Sequence, residues 1–205
     1  MPPQNQQQIE TALRTVGIHH GMWARSATLQ RAAAGAAGAE ESGMEWTLST
    51  ELPALVFDWE RWEFVNEILL ADGMMVPGIG QVPLLDSHNR NSAKDVLGHV
   101  RDFSASKVGG YAGRNGKIHF AADDDSQTIK QKVADGHITD GSVGYQVLSS
   151  IWVPEGTEVS IDGRLFTGPV RVSRTWSLKE FSITPIGADV LAKVRMLCGT
   201  TPRKN

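Results

Sequence analysis

The sequence predicts an α+β domain built around a bent, mainly antiparallel β-barrel with flanking helices. Three observations carry that expectation. From Met44 onward, short runs of β-branched and aromatic residues alternate with Gly, Pro, Asn and Asp, the punctuation of a compact sheet-rich domain. The runs are numerous and short, which favours a barrel or sandwich over a parallel sheet. One segment between them carries a full set of helix signals. The 205 residues suffice for one domain with a substantial core, and two would be crowded.

Taken in order, residues 1–45 read as a mobile leader, Gln-rich at Gln4 to Gln8 and Ala-rich from Arg31 to Glu40. Ile9, Leu13 and Val16 have helical spacing and residues 26–34 can also coil, so marginal helices are expected there. Strands are expected over 54–58, 63–70, 82–86, 98–104, 117–121, 142–153, 157–166, 170–172 and 176–184. The helix opens at Asp123, Asp124, Asp125 and Ser126, which supply a cap and an acidic first turn. Ile129 and Val133 lie four apart on one face, and Gly136 ends it. A second helix is expected over 188–197. The folded domain thus spans 46–198, followed by a flexible tail over 199–205.

Composition removes several functional classes. A net charge of −3 and a pI near 6.1 give no basic field for wrapping nucleic acid, and no cationic amphipathic stretch suits a membrane surface. The amino terminus lacks a basic-then-apolar signal arrangement, and no apolar run is long enough to cross a bilayer, so a soluble, unexported protein is expected. Cys198 is the only cysteine, which rules out an intrachain disulfide or a cysteine-based zinc site. Neither His-x-Glu nor His-Glu-x-x-His occurs, so neither a metal nor another cofactor is expected.

Three residues carry the parts of nucleophile chemistry. A serine hydroxyl is a weak nucleophile at neutral pH and needs a base within hydrogen-bond reach and a third group to orient that base. Ser142 stands in Gly141-Ser142-Val143-Gly144-Tyr145, where flanking glycines would let a substrate backbone approach. It is not a nucleophile elbow, because Asp140 occupies the place of the first glycine. The bland alternative is a turn serine at a strand start. His88 ends the strand Val82-Pro83-Leu84-Leu85 and could shuttle the proton, or be a solvated loop histidine. Its rivals are His99 and His119 on strands, His137 at a helix end, and His19 and His20 in the leader. Glu180 lies in an alternating strand in which Leu178, Glu180 and Ser182 share one face and Lys179, Phe181 and Ile183 the other. It could orient the imidazole, or be salt-bridged to Arg171 or Arg174.

These segments together resemble the prohead maturation proteases of tailed bacteriophages, relatives in fold of the herpesvirus assembly proteases. The matching pieces, in order, are Leu84-Leu85-Asp86-Ser87-His88, then Val96-Leu97-Gly98-His99-Val100, then Val133-Ala134-Asp135-Gly136. Gly141-Ser142-Val143-Gly144-Tyr145 follows, and last Leu178-Lys179-Glu180-Phe181-Ser182-Ile183-Thr184-Pro185 leading into Ala188-Asp189. The resemblance covers about residues 50 to 195. It implies a herpesvirus-assemblin-like barrel and a serine protease domain over 46–198, with Ser142 as nucleophile, His88 as general base and Glu180 as orienting acid. Many of those proteases carry an acidic residue directly after the histidine, where this chain has Asn89, which leaves Asp86 as an alternative orienter. The oxyanion would fall to backbone N–H groups between Gly141 and Gly144 or to an arginine.

The resemblance further implies a setting in the bacterial host cytoplasm, inside the prohead. The enzyme would cut scaffold or major capsid protein extensions and then itself, as an autocleaving component of the virion; homo-oligomerisation stays open. Two other classes compete. One is a non-catalytic capsid- or scaffold-associated structural module, in which Ser142, His88 and Glu180 are turn, loop and strand-face residues. The other is a small-ligand barrel lined by Trp23, Trp46, Trp59, Trp62, Trp152 and Trp176.

Overall fold

The computed structural model describes residues 23–28 and 43–186, and within 23–28 only the backbone. The elements, in order, are β1 (Trp23–Thr28), β2 (Met44–Thr50), β3 (Ala54–Asp58), β4 (Glu63–Leu69), β5 (Met74–Met75), β6 (Gln81–Asp86), β7 (Val96–Val108), β8 (Tyr111–Phe120), α1 (Asp124–Ala134), β9 (Asp140–Val153), β10 (Glu158–Ile161), β11 (Arg164–Thr167) and β12 (Val170–Thr184). The second helix expected over 188–197, most of the leader and the tail lie outside the described residues. So does the surrounding of Cys198.

The α+β barrel with flanking helices is not what forms. The described chain is mostly β, 62% strand against 12% helix, and α1 is the single α-helix among the described residues. The main sheet runs β1-β9-β12-β6-β7-β8-β2 and does not close. Its end strands, β1 and β2, come within 8 Å at Cα, yet no ladder joins them. Strand content exceeds the sequence expectation because pairing extends elements beyond their own propensity. Strands β7 and β8 reach 13 and 10 residues, joined at Gly109–Gly110, whose φ values of 58° and 91° suit a two-residue hairpin turn. Trp23–Thr28 pairs with β9 as a strand although helix was expected from Ser26. Residues 157–166 break at Asp162–Gly163 into the hairpin β10–β11, and 170–172 and 176–184 merge into the single strand β12.

Strand β12 is the spine. One edge pairs antiparallel with β9 along its length; the other takes β4, β5 and β6 in succession, all parallel. Bulges interrupt the β9–β12 ladder near Ser173–Trp176 and between Leu178 and Glu180. A bulge inserts one residue and resets the two-residue alternation. Leu178 therefore joins Phe181 and Ile183 in the core, and Glu180 and Ser182 face the other way, so the expected grouping of Leu178 with Glu180 fails.

The main core packs Trp46, Leu84, Val100, Ile118, Tyr145 and Trp176 with these residues, and Trp46 meets Phe181 edge to face at 5.5 Å. A smaller cluster of Ile161, Phe166, Val170 and Val172 lies under β10–β11. Helix α1 begins as its sequence requires. The Asp123 carboxylate accepts from the Ser126 N–H at 3.0 Å and the Ser126 hydroxyl at 2.8 Å, which holds it below the ordinary carboxylate range. Val133 anchors the helix to the core. No helix among the described residues is long and apolar enough to cross a membrane.

Candidate active site

His88 and Glu180 meet. The His88 Nδ1 lies 2.6 Å from Glu180 Oε1, although 92 positions separate the two residues. The parallel β6–β12 ladder, with Leu85 opposite Ser182 and Asp86 opposite Ile183, carries the end of β6 onto the strand that holds Glu180. The turn after β6 then presents the imidazole. The Asn89 N–H closes that turn on the Asp86 carbonyl at 2.8 Å, and its two central residues, Ser87 and His88, have φ of 49° and 61°. Positive φ at both central positions normally selects Gly or Asn, and here neither residue is one. Strain of this kind persists only where surrounding contacts enforce it, and it clusters at functional sites. The contacts come from β12: the Ser87 N–H donates to the Ile183 carbonyl at 2.9 Å and the His88 N–H to Ser182 Oγ at 3.0 Å.

Ser142 lies one strand away. It stands directly opposite Ser182 in the antiparallel β9–β12 ladder. Directly opposed residues share a face with Cβ atoms about 5 Å apart. Val143 and Tyr145 point into the core, so Ser142 faces the side occupied by Ser182, Glu180 and His88. The sheet thus gathers all three predicted residues on one face. Ser142 is 2% exposed, Glu180 2% and His88 8%, and Ser142 Oγ makes no hydrogen bond among the described residues. The structure therefore forms the imidazole–carboxylate pair and sets the serine on the same face, across the ladder from Ser182. Serine–histidine hydrogen bonds are often long in unliganded sites and tighten on substrate.

The glycines around Ser142 have a different task from the one their pattern suggested. A Cβ on Gly141 would lie 2.3 Å from the Phe181 ring, and one on Gly144 would lie 1.9 Å from Glu180 Oε1. They make room for the protein's own Phe181 ring and Glu180 carboxylate.

The rivals separate cleanly. Asp86 is exposed and its carboxylate accepts from the Ser87 hydroxyl at 2.8 Å, which leaves Glu180 as the group that touches His88. Rings of His99 and His119 stack 4.9 Å apart on β7 and β8, and Arg101 donates to His119 Nε2 at 3.2 Å. Burial, and then the Arg101 guanidinium, hold His119 below the ordinary imidazole value. His137 is exposed and its N–H caps α1 on the Lys132 carbonyl at 2.9 Å. The leader histidines, His19 and His20, lie outside the described residues. Trp46 and Trp176 belong to the main core, Trp59 and Trp62 pack around Phe57, and Arg61 lies 4.1 Å over Trp152, so these rings share no single cleft. Among the described residues no set of three or more His, Cys, Asp or Glu side chains is placed to hold a metal ion.

Two partners were missed in the sequence. Glu180 is salt-bridged not to Arg171 or Arg174 but to Arg90, whose Nη2 lies 3.0 Å from Oε1 and whose buried Nε has no partner among the described residues. Arg171 bonds Glu67 and Asp58 instead, and Arg174 pairs with Asp162. Ser182 donates to Glu180 Oε2 at 2.8 Å. Its place beside Glu180 was visible in the two-residue period; that of Arg90, carried by an irregular turn, was not. No family model, curated protein or solved structure matches this chain.

Proposed function

We propose that the protein is a serine endopeptidase acting in bacteriophage capsid maturation, cleaving scaffold or capsid-protein extensions and itself. The observation that carries the chemistry is the buried His88–Glu180 pair at 2.6 Å, on the same sheet face as Ser142. The resemblance of the segments around these three residues supplies the capsid setting, and with it the prohead interior as the place of action.

In the reaction Ser142 Oγ attacks a peptide carbonyl carbon and its proton passes to His88 Nε2, the nitrogen turned away from Glu180. The C–N bond then breaks as His88 returns the proton to the leaving amine, giving an acyl-serine. Water, deprotonated by the same nitrogen, releases the acid product and restores the serine. Glu180 holds the tautomer with hydrogen on Nδ1 and stabilises the imidazolium. The Arg90 Nε, unpartnered among the described residues, is a spare donor beside the site for the developing oxyanion, a role typically worth about 3 kcal/mol in the barrier.

The near-complete burial of Ser142 favours the second reading, a non-catalytic capsid-associated module. A fluorophosphonate probe separates the two. Wild type should be labelled at Ser142, whereas Ser142→Ala and His88→Ala should not. Co-expression with a capsid precursor, read by mass spectrometry, should show cleavage falling on the order of 10⁶-fold in Ser142→Ala. Cleavage that persists in that variant ends the nucleophile assignment.

A further inference from the structure

We propose that Ser182 is a positioning residue of this site. Its one hydroxyl fixes which oxygen of Glu180 meets His88 and also pins the strained turn that carries His88. The inference rests on the hydrolase reading above and names a group that the catalytic set of Ser142, His88 and Glu180 does not include.

A serine hydroxyl has one hydrogen to donate and two lone pairs to accept with. Ser182 Oγ lies 3.0 Å from the His88 main-chain N–H, which can only donate, so the oxygen accepts there. Its single hydrogen is left for Glu180 Oε2, 2.8 Å away. With Oε2 engaged, Oε1 is the oxygen turned to His88 Nδ1 at 2.6 Å and to Arg90 Nη2 at 3.0 Å. One side chain therefore settles the rotation of the carboxylate, and through it the imidazole tautomer that leaves Nε2 as the base.

Ser87 and His88 sit consecutively at positive φ, a conformation that is strained for residues other than glycine. The β12 strand opposes relaxation with two hydrogen bonds, and the one that reaches His88 itself comes from the Ser182 side chain. Losing that oxygen would leave the buried His88 N–H without its partner, a state proteins avoid. Ser182 also stands directly across the ladder from Ser142. A shift of the turn is thus a shift of the base relative to the nucleophile, and a misplacement of about 1 Å costs on the order of 10²-fold in rate.

The test uses the full chain with Ser182→Ala, Ser182→Thr and Ser182→Cys. Steady-state cleavage gives kcat and KM separately, melting curves report the fold, and the His88 Nδ1 proton is followed as a downfield NMR signal assigned by its loss in His88→Gln. Ser182→Ala should lower kcat about 10²-fold with KM unchanged, and should shift or abolish the Nδ1 signal. Ser182→Thr, which keeps the hydroxyl, should recover both. A wild-type kcat and an unmoved signal in Ser182→Ala overturn the proposal, as does a well-folded Ser182→Thr that recovers neither. If Ser182→Ala melts early, Ser182→Cys keeps the volume with only a weak S–H donor and should show the same kcat and NMR changes. If wild type neither cleaves nor takes the serine probe, the hydrolase reading fails on its own. The NMR comparison still decides whether Ser182 holds the His88–Glu180 pair.

Discussion

Glu67 and Glu180 solve the same problem in two ways. Both carboxylates are removed from solvent, at 0% and 2% exposure, and each accepts a hydrogen bond from a serine of β12: Ser173 Oγ at 2.5 Å for Glu67 and Ser182 Oγ at 2.8 Å for Glu180. A buried charge must be paired and hydrogen-bonded or it is strongly destabilising. Glu67 also meets the Tyr145 hydroxyl and Arg171, whose Nε lies 3.0 Å away and which also binds Asp58 at 2.7 Å. Arg171 sits opposite Glu67 in a regular parallel ladder. For Glu180 the partners are an imidazole on a positive-φ turn and Arg90 at the edge of the site. A guanidinium does not accept a proton, whereas an imidazole can give and take one. The arginine beside Glu67 therefore cannot serve as a base, whereas the imidazole beside Glu180 can. Burial and ion pairing are common to both; the imidazole partner on strained backbone is the difference on which the function proposed for the Glu180 site rests.

The comparison is open to attack at both ends. Glu180→Gln should lower kcat on the order of 10⁴-fold while cleavage stays measurable above that of Ser142→Ala, because nucleophile and base survive the loss of the orienter. Single-turnover kinetics with equal folded concentrations would show it, and full activity would move the orienting role elsewhere. Arg171→Ala should act on the fold instead. Removing the guanidinium strips Glu67 and Asp58 of their buried cation, which should destabilise the protein by about 3–5 kcal/mol in urea unfolding. The folded fraction should still take the serine probe at the wild-type rate. Loss of labelling in folded Arg171→Ala would mean that the two carboxylate sites are one coupled network and that the contrast drawn between them is false.

Much of the candidate site's make-up was legible because its signals are local. The Leu84-Leu85-Asp86-Ser87-His88 segment, the Ser142 strand and Glu180 each stand out in short windows, and helix α1 carries its own cap and stop. The remainder depends on pairing between distant segments, which no window contains. The bulge between Leu178 and Glu180 follows from how β12 meets β9, and it reversed the face expected for Leu178. Trp23–Thr28 becomes a strand because β9 offers it an edge, in a stretch whose local signals suggested only marginal helix. Whether the sheet closes depends on the distance between β1 and β2, which short-range composition does not encode. Arg90 was invisible for a similar reason: a turn with two left-handed residues sends side chains in directions that strand periodicity cannot anticipate.

The glycine at 144 offers the smallest and sharpest break. A methyl group there would sit 1.9 Å from Glu180 Oε1, 2.6 Å from Cδ and 2.8 Å from Cγ, all atoms of one side chain and none of backbone. The Glu180 side chain must move to admit it while the backbone need not, so Gly144→Ala should melt closer to wild type than Arg171→Ala does. That movement takes the carboxylate off His88 Nδ1, and kcat should fall about 10²-fold. Shortening the acid relieves the crowding: Gly144→Ala combined with Glu180→Asp should lose no more activity than Glu180→Asp alone, a non-additivity expected of residues in contact. Additive losses in that cycle would mean the methyl disturbs Ser142 through the β9 backbone and not through the carboxylate. Gly144 would then serve the nucleophile strand, and the space beside Ser142 would belong to substrate after all.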